Sequence, residues 1–177
     1  FQNELANINS NTINILYTGT LTYYDKERKA SYLLDALNEM SDEVSSKFSF
    51  SFYGKFNNND FSNYKKLINN DVIKLKANIP RNVSRALQEK FDILLLITDK
   101  GRTCVTTGKI FEYLKAGKPI IGLTENTNAE YIINITKTGL CVDPHNLEEI
   151  KKLLISVSIN GLNPKFDKEA IKIYSRN

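Results

Sequence analysis

Apolar residues switch between two spacings along this 177-residue chain. Ile13–Thr18 is a β-branched, apolar run stopped by Gly19, which predicts a strand. Over 28–40 the spacing becomes helical, with Tyr32, Leu33, Leu37 and Met40 on one face. Residues 47–53 form a second strand closed by Gly54. Its Phe48-Ser49-Phe50-Ser51-Phe52 alternation predicts one buried face and one exposed face. Asp60, a candidate N-cap, opens a helix carrying Tyr64, Leu67 and Ile68. A short third strand over 72–75 is followed by a helix that starts at Pro80 or Arg81 and points Val83, Leu87 and Phe91 inward.

The most apolar strand spans 91–98, and its unbroken run predicts burial on both faces. A loop and a helix over 109–116 follow, with Gly117 placed for a left-handed C-cap and Pro119 leading into a strand over 119–123. Asn126 or Asn128 caps a helix with Tyr131, Ile132 and Ile135. Gly139–Val142 is the sixth strand, and helices over 147–157 and 165–174 complete the chain.

Six strands separated by helices imply an α/β fold with a doubly wound, parallel, Rossmann-like sheet, because parallel strands need long right-handed crossovers. The usual order for six strands is 3-2-1-4-5-6, with ligands outside the carboxyl ends of strands 1 and 4. A binding site is therefore expected between the Gly19 loop and the loop over 99–107.

Composition narrows the function. Lys+Arg 24 against Asp+Glu 20 gives 24 − 20 = +4, too little and too scattered for a nucleic-acid binder. Two cysteines and one histidine make neither a zinc site nor a disulfide framework. No apolar run outlasts Ile93–Ile97, far short of a membrane span, and the Asn-rich front shows no signal peptide. A cytoplasmic setting is expected. Met40 is the only methionine, so the chain reads as a piece of a longer protein, with 1–12 a linker or leader and 13–177 the domain.

The chemistry at the expected site is that of phosphate binding. One glycine follows strand 1, not the three of a dinucleotide fingerprint, and no acidic residue ends strand 2, which argues against a nicotinamide dehydrogenase. Gly108-Lys109 fails as a P-loop, since Thr103 and Ile110 stand where Gly and Ser or Thr are needed. Thr106 and Thr107 still cap a helix whose first amides are unpaired, and Gly108 admits a phosphate close to them. Lys109 adds a full charge, and Glu112 shares its face, placed to accept two hydrogen bonds from a vicinal diol such as that of ribose. The alternative is a surface Lys109–Glu112 ion pair. Cys104 and Cys141 read as inert small hydrophobes, and His145 as a turn residue.

The string Gly108-Lys109-Ile110-Phe111-Glu112-Tyr113-Leu114-Lys115-Ala116-Gly117-Lys118-Pro119 resembles the C-terminal, nucleotide-sugar-binding half of group 1 (family 4-like) glycosyltransferases of the GT-B fold. Weaker matches run from Tyr17-Thr18-Gly19 through Asp92-Ile93-Leu94-Leu95 to Glu130 and Gly139-Leu140. The resemblance implies that Glu112 takes the ribose hydroxyls, that Thr106, Thr107, Gly108 and Lys109 meet the diphosphate, and that Gly19 and Thr20 approach it from strand 1. It also implies that Ile79 and Pro80 contact the base. The chain departs from the family pattern where Cys104 replaces a glutamate eight before Glu112, and where Thr20 replaces an arginine for which Arg28 is the first substitute. No catalytic residue is assigned, because the base of such enzymes comes from the acceptor domain, expected upstream in the same polypeptide.

The implied protein is a bacterial hexosyltransferase. It would move a sugar from a nucleotide diphosphate-sugar to a glycan or lipid-linked acceptor in surface polysaccharide synthesis, peripheral to the inner face of the plasma membrane. The isolated domain is expected to be inactive, with no cofactor and no metal; the chain contains no Asp-x-Asp motif. A non-catalytic nucleotide-sugar sensor and a GT-B-like nucleotide-sugar epimerase are the alternatives.

Overall fold

The computed structural model describes residues 8, 10–21, 30–56, 58–98 and 108–175. Six parallel strands form one sheet in the order β3-β2-β1-β4-β5-β6. They are β1 (Ile13–Thr18), β2 (Phe48–Tyr53), β3 (Ile73–Lys76), β4 (Ile93–Ile97), β5 (Ile120–Leu123) and β6 (Gly139–Val142). Among the described residues the helices are α1 (Ser31–Glu39), α2 (Asp42–Ser45), α3 (Lys65–Asn69), α4 (Arg81–Gln88), α5 (Gly108–Ala116), α6 (Asn128–Thr136), α7 (Leu147–Asn160) and α8 (Lys168–Tyr174), with a 3₁₀ turn at Asn58–Tyr64.

Two cores lie on opposite faces of the sheet. Ile15, Tyr17, Phe48, Phe50, Phe52, Leu95 and Ile121 face a layer containing Leu33 and Leu37 of α1, Leu67 of α3 and Leu154 of α7. Leu16, Tyr53, Leu94, Leu96 and Ile120 face Leu87 of α4, Ile110 and Tyr113 of α5, and Ile133 of α6. Each fully buried large side chain contributes about 1.5–3 kcal/mol of hydrophobic free energy. β4 is buried along its whole length, as its unbroken run predicts.

β1 and β4 form the seam between the two halves, pairing Ile15 with Ile93 and Leu16 with Leu94. Asp92 fastens it: its Oδ2 accepts from the Asn14 backbone N–H at 2.8 Å and from Asn14 Nδ2 at 3.1 Å. Gly117 has the left-handed backbone expected of a helix stop, φ 65°.

Four sequence expectations are corrected. β2 has no exposed face: Ser49 and Ser51 are buried like the phenylalanines. Ser49 Oγ donates to the Asp71 carbonyl at 3.4 Å. Asp60 is no N-cap. It lies inside the 3₁₀ turn, and α3 begins only after Tyr64, whose hydroxyl donates to Asp35 Oδ1 of α1 at 2.5 Å. The cap of α6 is Thr127 rather than Asn126 or Asn128, its side chain accepting from Glu130 N at 3.1 Å. The helix expected over 28–40 is described as Ser31–Glu39, preceded by a bend at Ala30.

Candidate functional site

Strands β1 and β4 are neighbours where the sheet order reverses, and a cleft of about 250 Å³ opens beside the end of β1, between it and α4 and α5; the loop over 99–107 expected to border the site lies outside the described residues. One wall is backbone. Gly19 N donates to the Tyr53 carbonyl at 2.8 Å, and Leu21 N to the Lys55 carbonyl at 3.1 Å. Strand contact thus continues past the last residue of β1. Gly19 and Gly54 come so close that a Cβ on residue 54 would overlap the Gly19 carbonyl. Gly19 itself has φ 133°, and a Cβ there would run into the Lys109 ammonium.

The other wall is charged. Lys109 and Glu112, one turn apart on α5, both line the cleft but turn to different partners, which replaces the simple Lys–Glu surface pair. Lys109 reaches back to strand 1. Its ammonium donates to the Tyr17 hydroxyl at 3.1 Å and lies 4.3 Å from the centre of that ring, a cation–π contact. Glu112 instead accepts from Arg81 Nε of α4 at 2.7 Å, and Arg81 Nη2 forms an ion pair with the same Oε1 at 2.6 Å. Arg85 Nη2 stands 3.8 Å from the same oxygen.

The floor is a polar layer over a rigid base. Thr18 and Ser84 line the cleft, and Gln88 beneath them donates to both, at 3.4 Å and 3.2 Å. Tyr113 is fully buried below, its hydroxyl donating to the Leu95 carbonyl at 3.1 Å. Burial pushes that phenol up to about 12, against the pull of a hydrogen bond with Thr18.

The sequence-derived residues distribute unevenly. Gly19, Lys109, Glu112 and Ile79 line the cleft together. Thr20 is exposed beside it, its carbonyl accepting from the Tyr17 hydroxyl at 3.4 Å. Pro80 is the exposed residue that starts α4, and Gly108 is the exposed first residue of α5. Neither Thr20, Pro80 nor Gly108 belongs to the cleft wall. Arg28, Cys104, Thr106 and Thr107 lie outside the described residues. Sequence reasoning missed Arg81, Arg85, Asn78 and Ser84. The only available signal was Arg81 and Arg85 at a four-residue spacing, which also describes an ordinary solvated helix face.

Cys141 is half-buried, and burial pushes its thiol up to about 12, which suits an unreactive side chain. His145 sits in a turn, its N–H donating to Asp143 Oδ1 at 2.8 Å and its ring 5.3 Å from that of Tyr32. Among the described residues no cluster of His, Cys, Asp or Glu could hold a metal, and no helix is long and apolar enough to cross a membrane.

A sequence profile of the glycosyl transferases group 1 matches residues 12–159, most of the chain. The chain belongs to that family. No curated protein matches it in sequence. Solved structures share its fold. WaaG, described as a glycosyltransferase involved in lipopolysaccharide biosynthesis, superposes with TM-score 0.67 at 14% identity, over 97% of this chain and 43% of WaaG. Sucrose-phosphate synthase from Thermosynechococcus elongatus gives 0.63 at 9% identity, over 98% of this chain and 41% of the synthase. The pneumococcal O-GlcNAc transferase GtfA, solved in complex with UDP and GlcNAc, gives 0.55 at 18% identity, over 93% and 31%. This group 1 chain thus has the Rossmann-like fold of GT-B glycosyltransferase domains, and it spans less than half the length of these structural relatives.

Proposed function

We propose that this chain is the donor half of a group 1 glycosyltransferase and that the cleft between β1 and α5 holds a nucleotide diphosphate-sugar. The observation that carries the reading is Glu112, a carboxylate in the cleft wall one helical turn from Lys109, at the switch point of the sheet. The ribose 2′- and 3′-hydroxyls donate to Glu112. The diphosphate meets the Lys109 ammonium and the amides at the start of α5, with Gly19 and Thr20 approaching from strand β1 and Thr106, Thr107 and Gly108 as further contacts of the same reading. Ile79 borders the base.

In transfer, the bond between the sugar's anomeric carbon and the diphosphate oxygen breaks, and negative charge builds on the departing diphosphate. A fixed lysine and preorganised amides stabilise that charge without a metal. The acceptor is bound by an upstream domain of the same polypeptide, which also supplies the catalytic base. The domain boundaries follow: a leader or linker over 1–12 and the donor domain over 13–177. WaaG, named for lipopolysaccharide biosynthesis, supports an acceptor of the glycan or lipid-linked class.

Calorimetric titration with UDP, GDP and ADP tests the reading. One diphosphate is expected to saturate the wild-type chain, and Glu112→Ala to weaken it about tenfold, or about 1.4 kcal/mol. Equal binding by wild type and Glu112→Ala would overturn it.

A further inference from the structure

Glu112 is gripped by two arginines at a single oxygen. The Arg81 Nε hydrogen bond, the Arg81 Nη2 ion pair and the approach of Arg85 all fall on Oε1. Arg81 and Arg85 are four residues apart on α4, so their side chains leave one helix face and converge on a neighbour from α5. Exposure is unequal: 18% for the Glu112 side chain, against 73% for Arg81 and 54% for Arg85. As a stabilising contact such a pair is worth little, because exposed ion pairs are screened by water. As an orienting device it is effective. Guanidinium nitrogens are held in a rigid fork, and those at Oε1 hold that oxygen towards α4, which leaves Oε2 as the oxygen on the other side.

We propose that Arg81, assisted by Arg85, is a positioning residue that turns Oε2 of Glu112 into the cleft for the ribose diol. This rests on the donor-site reading above. A carboxylate bridged across both oxygens would have to release an arginine bond before accepting a hydroxyl. One held at Oε1 keeps its arginine and still accepts at Oε2. Arg81 also keeps the carboxylate from swinging into solvent, where it would satisfy itself with water. The arginine therefore acts on the nucleotide through the sugar, and its influence is greatest on ligands that carry the full 2′,3′-diol.

The experiment compares UDP with 2′-deoxy-UDP, and likewise the GDP and ADP pairs, by calorimetry. It uses the wild-type chain, Arg81→Ala, Arg81→Lys, Glu112→Ala and the double variant Arg81→Ala/Glu112→Ala. Thermal melts verify that each is folded, which the exposure of Arg81 favours. The wild type is expected to prefer the ribonucleotide, and Arg81→Ala to reduce that preference about tenfold, the size of one hydrogen bond to a charged group. Arg81→Lys recovers part of the preference, and in the Glu112→Ala background the loss of Arg81 changes it no further.

Equal weakening of UDP and 2′-deoxy-UDP by Arg81→Ala would mean that Arg81 meets phosphate or base, and would overturn the proposal. Tighter UDP binding by that variant would mean that Arg81 competes with the ribose, and unchanged binding that it does nothing there; either overturns it too. Glu112-dependent binding that ignores Arg81 removes this proposal alone. Binding that ignores Glu112, or none by the wild type, removes the donor-site reading and this proposal with it.

Discussion

On the β1–β2 side of the cleft the chain runs against itself, with Gly54 pressed on the Gly19 carbonyl and no side chain between them. On the α4–α5 side the wall is made of side chains: Arg81 of α4 meets Glu112 of α5, and Lys109 reaches back to Tyr17. The first wall supplies shape. It is set by backbone hydrogen bonds such as Gly19 N to the Tyr53 carbonyl at 2.8 Å, which a ligand does not rearrange. The second supplies charge, carried on rotatable side chains held in place only by their partners. Substitutions on the first wall should therefore appear in stability, and those on the second in ligand affinity.

Gly54→Ala is the harshest test of that division. The added methyl group has no way to avoid the Gly19 carbonyl short of parting the ends of β1 and β2. A loss of about 3 kcal/mol is expected from overpacking against backbone, read from urea unfolding. A Gly54→Ala variant as stable as wild type would show that this wall is softer than its contacts imply.

Glu112→Ala should do the reverse, losing about 1.4 kcal/mol of nucleotide binding while its urea midpoint stays within experimental error. A large fall in stability instead would make Glu112 part of the scaffold joining α4 to α5.

Tyr113 lies under both walls. Tyr113→Phe removes the bond to the Leu95 carbonyl and should cost about 1 kcal/mol of stability. Its phenol also gives a pH signature. Folded, it ionises near 12; unfolded, near its ordinary value of 10. Below 10 both states hold the proton and stability is unaffected. Above 10 the unfolded state releases it first, so stability falls as pH rises towards 12. Tyr113→Phe should flatten that alkaline slope, measured by denaturant melts between pH 9 and pH 12.

The smallest effect belongs to Tyr17→Phe, which keeps the ring beneath the Lys109 ammonium and removes only the hydroxyl 3.1 Å from it. A change in diphosphate affinity below about twofold is expected, since the cation–π contact remains. A tenfold loss would make the hydroxyl itself the anchor of Lys109.

The same division explains what could be read in advance. The strand order was legible, and with it the Gly19 side of the cleft, because strand–helix alternation and crossover handedness leave few arrangements. Lys109 and Glu112 were legible as a shared face for the same local reason. Their partners were not. Whether Glu112 turns to Lys109 on its own helix or to Arg81 on the next depends on how closely α4 and α5 pack, and no spacing along either helix encodes that distance. The buried serines of β2 were misread as a wet face because alternation reports a change of side, not which sides are covered. Helix α2 escaped notice because its four residues are too few for a period to show.

The seam at Asp92 has a consequence for the order of events in folding. Asn14 and Asp92 lie 78 residues apart in sequence and meet only when the half containing β1–β3 closes on the half containing β4–β6. Closing so long a loop is entropically slow compared with forming either half. Gly19 stands on one side of that closure and Lys109 and Glu112 on the other, so neither half alone presents the cleft. On the donor-site proposal, a nucleotide engages only a chain whose halves have already joined. It should then leave the refolding rate untouched and lengthen the life of the folded state, acting as a brake on unfolding rather than a guide to folding.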